Sequence, residues 1–115
     1  MKFSSIYEVK SWQGEANDLA ITPIYDDEFY KEIQIILPKN KTMQEHKATG
    51  CIVVQVLKGE IDFYIDKKVI NLKELMSIKV APCIMHSLIA KQDSIIRLSL
   101  AKNDSFNRVK SVTIS

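Results

Sequence analysis

Apolar and polar side chains alternate along much of the chain. In residues 60–65 the apolar positions are Ile61, Phe63 and Ile65, and residues 76–80 repeat this spacing. Successive side chains of a strand point to opposite faces, so alternation predicts strands with one buried face. We therefore predict a strand at each of these two stretches.

Two other stretches, residues 53–57 and 95–100, are apolar at nearly every position. Continuous apolar runs of this length are typical of central strands that are covered on both faces. Either a second sheet or another subunit would provide this cover. A partner subunit is the simplest cover, so we expect a homodimer.

Turn-forming residues separate the apolar runs at intervals of about ten residues, as a β-sandwich or barrel requires. They are Pro38–Lys41, Lys58–Gly59, Asp66–Lys68 and Lys91–Asp93. No twelve-residue window has helical spacing. Residues 7–17 are compatible with an irregular arm or a short helical turn, and Arg108–Ile114 with a last strand.

Composition supports the same fold class. The chain contains 16 Ile and 8 Val but only 6 Ala, and stiff β-branched side chains favour a pleated sheet over a helix. About eight short antiparallel strands are compatible with a jelly roll, an up-and-down barrel or an Ig-like sandwich. We expect an all-β protein.

Size and charge exclude several classes of function. A chain of 115 residues, 46% of them hydrophobic, is enough for one domain with its own core. A formal net charge of +2 gives no field that would attract nucleic acid. No secretory leader and no apolar run of about 18 residues is present, so we expect a cytoplasmic protein without a membrane span.

The two cysteines, Cys51 and Cys83, lie far apart and outside any CxxC pattern. We interpret them as ordinary buried or half-buried thiols in a reducing compartment.

Two histidines carry the most informative pattern. From Asn40 there are five residues to His46, then Ala48, three more to Ile52, and six more to Gly59. A second series, with the same kind of spacing, contains Leu75, Ala81, Cys83, His86 and Ala90.

These two series resemble the motifs of the small single-domain cupins. The first cupin motif is G, five residues, H-x-H, three or four residues, E, six residues, G. The second is G, five residues, P-x-G, two residues, H, three residues, N. His46, Gly59 and His86 are identical to motif residues, and Asn40 can replace a glycine because Asn tolerates the left-handed conformation. The resemblance implies a cupin-type jelly-roll, or double-stranded β-helix, barrel.

The resemblance also divides the chain, which we interpret as one cupin domain over residues 1–115. The motif-bearing barrel core covers about residues 33–101. Residues 1–32 form an N-terminal arm or strands, and residues 102–115 a C-terminal strand.

Departures from the motifs bear on the metal site that the family implies. Metal-dependent cupins bind an ion with two histidines and the glutamate of the first motif and the histidine of the second. Ala48 and Ile52 replace one histidine and the glutamate, and neither side chain can coordinate a cation. Two imidazoles fall short of the three protein ligands of catalytic zinc or the two-histidine-one-carboxylate set of non-haem iron. We expect no cofactor. The alternative is a divalent Zn, Fe, Ni or Mn ion at partial occupancy, with His46 and His86 as ligands.

Two residues are candidates for a missing donor. Gln44 has the parity of His46 along a strand and offers an amide oxygen, and Cys83 offers a thiolate. The competing interpretation is that both histidines are neutral, hydrogen-bonded relics in an apolar pocket, or that His46 is a surface residue. The full set of candidate ligand-binding residues is His46, His86, Gln44, Ala48, Ile52, Val54 and Cys83.

Three functions are compatible with this pattern. The first is a non-enzymatic small-molecule binding or sensing module with a mainly apolar barrel pocket, in which His46 and His86 are the polar groups. The second is a metal-dependent enzyme that acts on a small molecule through the same histidines. The third is a dimeric interaction or scaffold protein. We favour the first and expect no catalytic residue.

Overall fold

The computed structural model describes residues 6–102, and the predicted strand at 108–114 lies outside this range. The strands are β1 (Ala20–Asp26), β2 (Tyr30–Leu37), β3 (Thr42–His46), β4 (Ile52–Lys58), β5 (Glu60–Ile65), β6 (Lys68–Lys73), β7 (Ser77–Val80), β8 (His86–Ala90) and β9 (Ser94–Ala101). None of the described residues is helical, and none therefore belongs to a helix able to cross a membrane.

The strands form two antiparallel sheets. One sheet has the order β1-β2-β9-β4-β7, and the other has the order β3-β8-β5-β6. The resulting sandwich is a jelly-roll barrel, which confirms the predicted all-β class. Its core consists of the inward side chains of both sheets: Ile35, Leu37, Ile52, Val54, Val56, Ile61, Phe63, Leu72, Val80, Leu88, Ala90 and Ile96.

The predicted alternation and the predicted turns agree with the strands. Ile61 and Phe63 are fully buried, whereas Tyr64, which follows Phe63 in the strand, is exposed. Each of the four turn segments joins consecutive strands, although Lys58 is the last residue of β4 and Lys68 the first of β6. In β7 the alternation holds for Ile78 and Val80 but not for Met76, which precedes the strand and is 45% exposed.

An extended N-terminal arm, residues 6–19, covers part of the outer face of the five-stranded sheet. The Arg97 guanidinium lies 5.5 Å from the centre of the Trp12 ring. The Gln34 amide nitrogen donates a hydrogen bond to the main-chain oxygen of Gln13 at 3.2 Å. The arm has no helical turn, so the irregular alternative for residues 7–17 is confirmed. The chain itself thus supplies a cover for this face, and the homodimer stays a prediction.

A buried polar cluster lies on that same outer face. Glu32 is 6% exposed, and one of its carboxylate oxygens accepts hydrogen bonds from Arg97 Nε at 2.8 Å and Ser99 Oγ at 2.7 Å. The hydrogen bond to Glu32 raises the pKa of Arg97. Charge pairing and hydrogen bonding together offset the cost of burying this carboxylate.

Candidate functional site

The two histidines meet at one end of the barrel. His46 ends β3 and His86 begins β8, and the two residues are register partners. Their ring centres are 4.3 Å apart and their planes are 64° from parallel, an edge-to-face contact. The pair that the motif spacing predicts therefore forms in the structure.

A bulge in β3 allows this contact. Met43 pairs with Leu88 and His46 with His86, so three steps along β3 correspond to two along β8. The extra residue rotates the strand, and both Met43 and His46 pair with inward-facing residues of β8 despite their odd spacing. The side chains of β3 therefore do not alternate regularly between the two faces, and the predicted shared orientation of Gln44 and His46 cannot be inferred from their spacing.

Main-chain carbonyls determine which nitrogen of each imidazole ring carries a hydrogen. His46 Nδ1 lies 2.9 Å from Gln44 O, and His86 Nδ1 lies 3.0 Å from Ile84 O. A carbonyl oxygen can only accept, so each Nδ1 carries the hydrogen and donates it. In the neutral ring, the lone pair then lies on Nε2. Each ring consequently offers one acceptor nitrogen.

The two rings differ in their surroundings. His86 is only 2% exposed and stacks on Phe63, with ring centres 5.4 Å apart and planes 13° from parallel. Burial lowers the pKa of His86, an effect that the hydrogen bond to Ile84 opposes and the nearby His46 reinforces. His46 is exposed, so solutes reach the pair from this side. The site combines one neutral buried imidazole with one accessible imidazole.

Backbone conformation supports the motif alignment independently of residue identity. The four motif glycine positions are occupied by Asn40, Gly59, Leu75 and Cys83. All four have positive φ angles: 69°, 92°, 71° and 63° in that order. Left-handed φ disfavours Leu and Cys by about 1–2 kcal/mol, so their occurrence here reflects the fold rather than local preference. The expectation for Asn40 is confirmed.

Solved structures show the same architecture. A cupin-superfamily protein from Desulfitobacterium hafniense has a TM-score of 0.73 at 13% identity, over 79% of this chain and 84% of that one. An RmlC-like cupin from Desulfovibrio desulfuricans has a TM-score of 0.69 at 18% identity, over 88% and 96%. The chain has the cupin fold. A cupin 2 conserved barrel domain protein from Leptotrichia buccalis has a TM-score of 0.70 at 23% identity, over 78% of this chain and 44% of that one. No protein-family model and no curated protein matches the sequence.

Other predicted site residues have different positions in the cupin barrel. Ile52 and Val54 are each 3% exposed and belong to the packed core, and Ala48 packs against that core. Gln44 is exposed and interacts with the pair through its carbonyl oxygen. Cys83 is an exposed free thiol, and its main-chain nitrogen donates to Ala48 O at 2.7 Å. Cys51 is also free and is half-buried, so only Cys83 differs from the expected burial of the thiols.

The donor set does not fit a resident metal ion. Between residues 6 and 102, no three His, Cys, Asp or Glu side chains come together in a way that could hold one. Ala48 and Ile52 occupy the other two motif ligand positions and carry no donor atom. Two imidazoles alone leave a catalytic metal short of protein ligands.

Sequence reasoning missed Phe63 as part of the site. Its inward orientation follows from alternation, but its stacking on His86 depends on the register between β5 and β8. In that register Phe63 pairs with Leu88 and Ile65 with His86. No local signal in the sequence gives this register. The stacking of Phe63 on His86 could therefore be recognised only in the structure.

Proposed function

We propose that this cupin is a non-enzymatic binding or sensing module for a small, largely apolar molecule that carries a hydroxyl or another hydrogen-bond donor. The observation that carries the proposal is the pair of adjacent imidazoles whose Nδ1 atoms both donate to main-chain carbonyls. Each ring then has Nε2 as its remaining acceptor, which suits a donor on the ligand.

The surroundings of the pair favour an apolar ligand body. Met43, Ala48 and Ile65 are partly buried residues that pack against the core near the histidines. Ile84 and Met85, next to His86 in the chain, are 39% and 44% exposed. Apolar walls with a few placed polar groups are typical of small-molecule sites.

Phenol and anisole test this proposal as a matched pair, because only phenol has a donor. We expect phenol to shift the imidazole ¹⁵N resonance of His86 Nε2 and to bind at least about fivefold more tightly than anisole. His86→Phe retains a ring on Phe63 and should abolish the preference. Equal binding of both probes, or a preference that persists in His86→Phe, would contradict the proposal.

Metal content separates binding from the metal-dependent alternative. Untagged protein is analysed for bound metal, and its melting curve is recorded before and after chelation. We expect less than about one tenth of an equivalent and no shift of the melting temperature. A stoichiometric ion whose removal lowers the melting temperature would favour the enzyme class instead.

The proposed assembly is a homodimer. Its support is the edge strand β1, where Ile21 is 53% exposed and no strand within residues 6–102 pairs with the outer edge. Packing of this edge against a second copy of the chain would bury Ile21 and pair the outer edge of β1. Light scattering should give twice the chain mass for the native protein and the monomer mass for Ile21→Glu. A native monomer would contradict this assembly.

A further inference from the structure

A cleft lies at the barrel end opposite the histidines. Its volume is about 520 Å³, and the arm residues 14–17 form one wall. Its floor is a row of three register partners on the outer face of the five-stranded sheet. Lys58 of β4 pairs with Ile95 of β9, and Ile95 pairs with Ile36 of β2. The floor therefore has two adjacent isoleucines and one lysine at its end.

Charges of both signs line this cleft. Glu15 of the arm and Asp93 of the β8–β9 turn contribute carboxylates, and Lys58 contributes an ammonium group. One Asp93 oxygen accepts a hydrogen bond from the Lys39 main-chain nitrogen at 2.8 Å. Within residues 6–102, Lys58 forms no ion pair. The cleft thus combines an apolar floor with charged groups of both signs, a lining complementary to a small zwitterion with an apolar side chain.

An unpartnered buried acceptor lies one row further along the same face. Gln34 is 5% exposed, and its Oε1 has no hydrogen-bond partner among the described residues. Gln34 precedes Ile36 by two residues on β2, and Gly14 passes over both side chains. A buried acceptor without a partner is rare in folded proteins and indicates a missing donor.

The arm is closely fitted to this site. Gly14 has a φ of 146°, and a Cβ at this position would lie 3.0 Å from Ile36 Cδ1. A larger residue would therefore strain the backbone and displace the Ile36 methyl group by a few tenths of an ångström. Glycine here lets the arm wall and the isoleucine floor meet.

We propose that this cleft binds a free amino acid with an apolar side chain. The ligand carboxylate pairs with Lys58, and its side chain lies on Ile36 and Ile95. Its ammonium group faces the Glu15 and Asp93 carboxylates. Gln34 lies outside the cleft lining, so its Oε1 is not a contact of this ligand. This site is separate from the histidine pair and does not depend on the function proposed there.

L-leucine and two truncated analogues test the proposal on the full chain. Isocaproate lacks the amine, and isoamylamine lacks the carboxylate. In isoleucine-methyl NMR we expect leucine to shift the Ile36 and Ile95 signals. We expect each analogue to bind at least about fivefold more weakly than leucine, because each loses one charged contact.

Four variants locate the contact. Lys58→Met should weaken leucine binding about three- to tenfold, and Lys58→Arg should retain it. Lys79→Met is the matched control, because Lys79 is exposed on β7 away from the cleft. His86→Phe should leave leucine binding unchanged. No methyl shift at about 10 mM leucine, equal binding of all three probes, or equal effects of Lys58→Met and Lys79→Met would each overturn the proposal.

Discussion

The buried imidazole of His86 couples stability to pH. Burial holds its folded-state pKa below the ordinary 6.5, so the unfolded chain binds more protons as the pH falls through 6.5. Stability is therefore complete above this value and decreases below it. We expect the free energy of urea-induced unfolding to fall between about pH 7.5 and 5.5, and His86→Phe to remove much of this fall. An unchanged pH slope in the variant would contradict the assignment.

Left-handed residues are a second local feature with a measurable consequence. Leu75 is 70% exposed and has a φ of 71°, so its side chain contributes little packing while its backbone is strained. Glycine relieves about 1–2 kcal/mol of strain and adds about 0.5–1 kcal/mol of unfolded-state entropy. We expect Leu75→Gly to stabilise the fold by up to about 1 kcal/mol. Leu75→Ala keeps the Cβ, and an equal gain in that variant would refute the strain explanation.

At the level of single residues, motif spacing predicted the positions of His46 and His86 because it reflects turn lengths in the fold. It led us to expect the left-handed conformation at Asn40 alone, and the same conformation at Leu75 and Cys83 was recognised only in the structure. The orientation of Gln44 could not be predicted, since one bulge changes side-chain parity. Bulges arise from pairing with a distant strand and leave no local pattern.

The turn between β4 and β5 depends on Gly59. Its φ is 92°, and a Cβ there would lie 2.5 Å from Asp93 O and 2.8 Å from Ser94 Cα. Ser94 itself is buried and links this turn to β9, because its hydroxyl accepts from Glu60 N at 3.1 Å. We expect Gly59→Ala to lower the free energy of unfolding by about 2 kcal/mol or more. Lys58→Ala, one residue earlier and exposed, is the control, and similar losses in both variants would exclude the clash.

The elements themselves were predictable where alternation is regular. Residues 60–65 and the four turns follow directly from local pattern, and they formed as expected. The burial of Glu32 and Gln34 on an outward face was not predictable from β2 alone. Their cover is the arm, which has no periodicity of its own and whose position depends on contacts with Arg97 and Gln34. Burial by an irregular segment is a tertiary effect.

Over the whole molecule, the two proposed sites lie at opposite ends of the cupin barrel. Ile52 at the start of β4 lies near the histidine end, whereas Lys58 at its other end lines the cleft. Seven residues of extended strand separate the ends by about 20 Å. Sites this far apart without shared partners are expected to act independently.

Independence is measurable as additivity. We expect the change in unfolding free energy of the double variant His86→Phe/Gly14→Ala to equal the sum of the two single changes within about 0.5 kcal/mol. The reason is that His86 packs on Phe63 inside the barrel, whereas Gly14 contacts Ile36 on the outer face. Urea unfolding of the four proteins at one pH gives all the terms of this cycle. A coupling above about 1 kcal/mol would mean that the arm and the histidine end communicate through the sheet, and the two sites could no longer be treated as separate.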